Sequence, residues 1–158
     1  MLGAFAVGKT SLVRRFVVNL YDERYQTTIA VSVQKKDVEL AAGTVTLMLY
    51  DLYGDDEFQA VPERYFHGMA GYLLVLDGTR RATLDKAREL QARVVEAVGN
   101  VPFVCALNKA DLDTTWEVGE DELRELEADG WNLVRTSALS GDGVQQAFEA
   151  LASAMVQG

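Results

Sequence analysis

The chain has 158 residues, 49% of them hydrophobic and 25% charged, which excludes a disordered composition and is enough for one domain with a substantial core. A formal net charge of −9 disfavours general binding to nucleic acid or anionic membranes, while a local nest of backbone N–H groups can still hold one phosphate-bearing ligand. The single cysteine, Cys105, cannot form an internal disulfide and reads as a buried strand residue of a reducing cytosol.

In chain order, Met1 and Leu2 lead directly into a Gly-rich segment, Gly3-Ala4-Phe5-Ala6-Val7-Gly8-Lys9-Thr10. A phosphate loop should follow a buried strand, so the first strand is expected to be truncated. Residues 9–20 place Leu12, Val13, Phe16, Val17 and Leu20 on one helical face. Two β-rich runs, Val31–Leu40 and Thr44–Tyr50, flank Ala41-Ala42-Gly43 and predict an antiparallel hairpin. Tyr72–Leu76 and Val101–Leu107 are apolar all round, as strands buried on both faces are. Residues 81–98 and 143–156 carry helical apolar stripes, through Leu84, Ala87, Leu90 and Val94 and through Val144, Ala147, Phe148 and Leu151. A shorter acidic helix is expected over 120–127, where Glu120, Asp121 and Glu122 suit a positive N-terminal end. Strands alternating with helices predict a three-layer α/β/α domain over 1–158, with about six strands, five parallel and one antiparallel.

No apolar stretch is long enough to cross a membrane, and the C-terminal residues offer neither a cysteine to prenylate nor a polybasic run. The expectation is a cytoplasmic protein without a membrane anchor.

Residues 3–10 match G-x-x-x-x-G-K-[ST] in full. In that pattern glycines let the backbone curl so that its N–H groups face phosphate, and the following helix adds its positive end. Lys9 would reach the outer phosphates and the Thr10 hydroxyl would ligate Mg²⁺. The motif says nothing about the base. Asn108-Lys109-Ala110-Asp111 does, standing at the end of an apolar strand where open α/β sheets place ligands. A carboxylate at Asp111 can accept both the ring N–H and the exocyclic amine of guanine, a donor pair that adenine lacks.

With these elements the chain resembles the Ras superfamily of small GTPases, nearest to its Rab and Ras branches, over essentially its whole length. The resemblance implies a P-loop NTPase fold and a switch that binds GTP and GDP with Mg²⁺. It implies phosphate contacts from Phe5, Ala6, Val7, Gly8, Lys9, Thr10 and Ser11. Thr28, 18 residues after Thr10, resembles the switch I threonine that senses Mg²⁺ and the γ-phosphate. Tyr21 matches the aromatic residue against the guanine ring, and Tyr25 the switch I tyrosine that closes over the phosphates. Asp51 and Gly54 resemble the switch II D-x-x-G, in which the aspartate serves Mg²⁺ and the glycine N–H meets the γ-phosphate. Ser137, Ala138 and Leu139 resemble the last base-reading loop, beside Asn108, Lys109 and Asp111. The implied partners are guanine nucleotide and a protein effector or regulator at residues 21–30 and 51–68.

Departures from the family pattern bear on catalysis. Asp55 stands where the family carries the glutamine that orients the attacking water. Phe5 stands where a small residue is common and would crowd the γ-phosphate. Ala30 and Tyr53 are further departures. These imply slow GTP hydrolysis, with Lys9, Thr28, Gly54 and Asp55 as the residues of turnover. The alternative is a nucleotide-loaded interaction module with little or no hydrolysis. Arg24, four residues before Thr28, could supply a cis arginine. His67, Trp116 and Trp131 read as surface or packing residues, and Arg80-Arg81 as a solvated turn.

Overall fold

The structure, a computed structural model, describes residues 1–20, 31–52 and 60–158. Six strands and four α-helices follow one another among these residues. They are β1 (Leu2–Gly3), α1 (Lys9–Val18), β2 (Ser32–Leu40), β3 (Gly43–Asp51), β4 (Tyr72–Asp77), α2 (Ala82–Val98), β5 (Phe103–Asn108), α3 (Glu120–Ala128), β6 (Leu133–Arg135) and α4 (Val144–Gln157).

β1, β4, β5 and β6 form a parallel sheet in that order, with Leu74 paired to both Leu2 and Cys105. Alternation along β4 divides the core between two faces. Leu73 and Val75 point to the side of α1 and α4, among Leu12, Phe16, Phe148 and Leu151. Leu74 and Leu76 point to the side of α2 and α3, among Leu84, Leu90, Leu123 and Leu126. Helices on both faces explain why every residue of β4 is buried. Phe16 stacks on Phe148 with ring centroids 4.0 Å apart and fixes α1 against α4.

The six expected strands are thus present, but their division differs from the expected single sheet. The antiparallel β2–β3 hairpin stands as a separate pair, in register from Ser32↔Asp51 to Leu40↔Gly43. Among the described residues, the two residues of β1 are paired with β4. Between that end of the chain and β3 there is a hydrogen bond from the Met1 ammonium to the Tyr50 carbonyl, 2.9 Å long. The hairpin is held instead by its apolar face, since Val38, Leu47 and Leu49 enter the α1/α4 core.

Helix bounds fall close to expectation. α1 ends at Val18, where Asn19 takes a left-handed conformation and caps the helix, leaving Leu20 exposed. Cys105 is fully buried in β5, and burial pushes its thiol pKa up, as suits an inert strand residue.

Candidate nucleotide site

The C-terminal ends of β1, β4 and β5 open on one edge of the parallel sheet, and the loops that leave them converge there. Residues 3–8 curl between β1 and α1, with Ala6 at φ 59° and Gly8 at φ 100°. Gly8 caps α1 in a left-handed conformation, and a side chain there would meet Asn108 Nδ2 at 2.3 Å. Only glycine satisfies both demands. Val7 is buried in the core and anchors the loop.

Lys9 is 6% exposed, and its ammonium donates to the carbonyls of Gly3 at 3.1 Å and Ala4 at 3.0 Å. The cation therefore lies inside the curl of the loop rather than in solvent. One residue on, the Thr10 hydroxyl donates to Asp51 Oδ2 at 2.6 Å. Asp51 closes β3, is 2% exposed, and its Oδ1 has no hydrogen-bond partner among the described residues. Burial pushes the Asp51 pKa up, against the Thr10 hydrogen bond and the charges of the Met1 ammonium, Lys9 and Arg14. A buried orphan carboxylate oxygen beside a hydroxyl is a hard-oxygen pair that fits Mg²⁺, which takes one or two protein oxygens plus waters and phosphate.

Asn108 ends β5 and works as a strut. Its Nδ2 donates to the Val7 carbonyl at 2.9 Å, while its Oδ1 accepts from the Thr136 hydroxyl at 3.3 Å. Lys109 follows in a left-handed conformation at φ 66°. Its carbonyl accepts the Trp116 indole N–H at 3.0 Å, and Trp116 lies so close over Gly78 that a side chain there would meet the ring at 2.2 Å. Asp111 Oδ1 accepts the Ser137 hydroxyl at 2.6 Å, and Ser137 Oγ in turn accepts the Ser140 N–H. Arg15 of α1 donates to the carbonyls of Ala138, at 2.8 Å, and Leu139. The last loop is thereby pinned to the helix that follows the phosphate loop.

The structure thus gathers Lys9, Thr10 and Asp51 at one end of the site and Asn108, Lys109, Asp111, Ser137 and Ala138 at the other. Ser11 is half-buried on α1, Leu139 is exposed, and the Phe5 side chain is 38% exposed. Tyr21, Arg24, Tyr25, Thr28, Ala30, Tyr53, Gly54 and Asp55 lie outside the described residues.

Two expectations change. Trp116 does more than pack, because it bonds the backbone of the base loop. Arg80 is not in a merely solvated turn: its Nε donates to Asp77 Oδ2 at 3.0 Å and its Nη2 to the Phe5 carbonyl at 2.8 Å. Asp77, which the sequence reading passed over, ends β4 with a fully buried carboxylate that also pairs with Lys109 at 2.6 Å. Burial alone would raise its pKa, but hydrogen bonds from Lys109, Thr79 and Arg80 outweigh that and hold it below the usual carboxylate value. The signal was available: like Asn108, Asp77 is a polar residue closing an apolar strand at the sheet's carboxyl edge. Arg15, on the apolar-striped helix α1, carries no sequence signal for its bonds to Ala138 and Leu139.

A family model described as "Ras family" matches residues 1–157. The chain is 32% identical over 151 residues to the Ras-related protein RABA2d of Arabidopsis thaliana, covering 94% of this chain and 70% of that protein. It is 30% identical over 158 residues to the Ras-related protein Rab-1 of Theileria parva, covering 98% and 72%. To the Ras-related protein Rab11C of Lotus japonicus it is 31% identical over 153 residues, covering 96% and 71%. The phosphate loop, the base loop and the sheet edge that joins them agree with this match over the whole chain, which belongs to the Ras family of GTP-binding switch proteins.

Proposed function

We propose that residues 1–158 form one guanine-nucleotide-binding domain that holds GTP or GDP with Mg²⁺, hydrolyses GTP slowly, and signals its state to a cytoplasmic protein effector or regulator. The observation that carries this reading is the Asn108 side chain bonded to the Val7 carbonyl. It supports this reading because it ties the loop of Asp111, the proposed base reader, to the loop of Lys9, the proposed phosphate-binding lysine.

In this reading the backbone N–H groups of Phe5 to Ser11 cradle the phosphates, and Lys9 exchanges its carbonyl partners for phosphate oxygens. Asp111 accepts guanine's two N–H donors, Ser137 orients Asp111, and the Ala138 N–H reads the base oxygen. Thr10, Asp51 and Thr28 are the residues that would hold Mg²⁺, which supplies charge neutralisation between the outer phosphates when bound. Turnover is in-line attack by water on the γ-phosphorus. The bond to the β–γ bridging oxygen breaks, and GDP and inorganic phosphate leave. The Gly54 N–H and Lys9 stabilise the transferring group, Asp55 accepts from the attacking water, and Arg24 is placed by sequence to add charge in cis. Residues 21–30, with Tyr21 and Tyr25, and residues 51–68 would report the γ-phosphate.

Asp55 in place of glutamine favours the slow end of this reading, down to a nucleotide-loaded interaction module. Mass spectrometry of nucleotide released from purified protein, competition of GTP against ATP, and a single-turnover time course test it. Released guanine nucleotide with measurable turnover is the expected result. ATP competing as well as GTP would overturn it, and absent turnover would leave the interaction module.

A further inference from the structure

Two loops meet at one buried carboxylate, and Arg80 links it to a third. Asp77 Oδ1 accepts the backbone N–H of Thr79 at 2.9 Å and its hydroxyl at 2.7 Å, while Oδ2 is shared by Lys109 at 2.6 Å and Arg80 at 3.0 Å. The Arg80 guanidinium then continues to the Phe5 carbonyl at 2.8 Å. A chain of charge-assisted hydrogen bonds therefore runs from the phosphate loop through the end of β4 to the base loop. Exposed ion pairs contribute little, but here the carboxylate has no exposed side-chain surface and every bond to it is made by a residue of these loops.

We infer that Arg80 is a positioning residue of the nucleotide site, clamping the phosphate loop by the Phe5 carbonyl and coupling it through Asp77 to Lys109. The inference rests on the nucleotide-site reading above. Its physical basis is the planarity of the peptide joining Phe5 to Ala6. In a trans peptide the C=O and the following N–H point to opposite sides. Holding the Phe5 carbonyl toward Arg80 therefore turns the Ala6 N–H the other way, the sense a phosphate cradle needs. Ala6 is also the non-glycine residue of this loop held at positive φ, 59°, a conformation that persists only where neighbours over-determine it. Arg80 supplies such a constraint from outside the loop, and adds positive charge beside it in a protein of net charge −9. An ammonium at this position could not span Asp77 Oδ2 and the Phe5 carbonyl with a rigid fork as the guanidinium does.

The test compares wild type, Arg80→Ala and Arg80→Lys as full chains. GDP affinity should fall about tenfold in Arg80→Ala, as expected on removing a charge-assisted hydrogen bond, and partially in Arg80→Lys. Affinity for GMP, which lacks the outer phosphate, should change little, and the melting temperature of nucleotide-free protein should stay close to wild type. Amide exchange at residues 4–8 of the nucleotide-free protein should be faster in both variants. GDP affinity left at the wild-type value, or GDP and GMP weakened equally, would overturn the clamp. If wild type binds no guanine nucleotide, the nucleotide reading itself fails; amide exchange then still decides the clamp, unchanged exchange sinking it and faster exchange sustaining it. Should Arg80→Ala fail to fold, Arg80→Lys carries the same comparisons.

Discussion

The Asn108 side chain donates to the Val7 carbonyl across 101 residues of sequence, joining the end of β5 to the phosphate loop at 2.9 Å. Asn108 is 2% exposed and Val7 wholly buried, so neither group has water as an alternative partner. Asn108→Ala leaves the Val7 carbonyl unsatisfied at a cost of about 1–3 kcal/mol. Chemical denaturation should show that loss with an unchanged m-value, together with faster nucleotide release. Unchanged stability would mean that the strut contributes nothing to the fold.

Asp111 is positioned by the Ser137 hydroxyl, and its carboxylate is the group proposed to select guanine. Asp111→Asn should weaken GDP binding by roughly 1.5–3 kcal/mol, the range for a lost hydrogen bond to a charged group, and should shift preference toward xanthine nucleotides. Competition with XDP and GDP reads the shift directly. Equal GDP affinity in the variant would remove Asp111 from the base site.

Lys9 and Thr10 lie at the end of the site proposed to hold phosphate and Mg²⁺, where Thr10 contacts the half-satisfied Asp51. Ligand that binds the native state alone stabilises it by about 2.7 kcal/mol at a hundredfold excess over Kd. Thermal melts should therefore rise with Mg²⁺·GDP in wild type and rise less in Lys9→Ala and Thr10→Asn. A wild-type melt indifferent to excess Mg²⁺·GDP would contradict the proposed function as a whole.

Turnover should respond to Asp55→Gln. In the proposed role, aspartate lacks the amide donor of glutamine and would set a negative charge near the γ-phosphate, so the substitution should speed single-turnover hydrolysis, and more so combined with Phe5→Gly. Each 1.4 kcal/mol removed from the barrier is about tenfold in rate. A fast wild type that slows in both Asp55→Gln and Arg24→Ala would mean instead that Asp55 and Arg24 act as a catalytic pair.

Asp77 gives the fold a defined acid response. Its folded pKa lies below the ordinary 3.8 despite burial, because Lys109, Thr79 and Arg80 bond the charged form. A depressed carboxylate contributes stability above its unfolded pKa and loses it as pH falls through the folded value. The stability difference between wild type and Asp77→Asn should accordingly be full at neutral pH and shrink as pH drops below 3.8. Urea denaturation across that range measures it. A difference that grows on acidification would show that the network does not favour ionised Asp77.

Local sequence was sufficient for what depends on periodicity and on motif chemistry. The apolar run of β4 and the stripe Leu84, Ala87, Leu90 and Val94 mark a strand and a helix whatever surrounds them, because burial selects side chains at spacings of two and 3.6 residues. Gly3 to Thr10 and Asn108 to Asp111 point to a nucleotide site by residue type alone. Tertiary structure decided which groups share an atom. Nothing along the chain says that Asp77 accepts from both Lys109 and Arg80, that Arg15 holds Ala138 some 123 residues away, or that β2 and β3 stand apart from the parallel sheet. Those relations arise where strand ends bring distant loops to one edge, and hydrogen bonding there depends on distance in space, which sequence spacing does not encode.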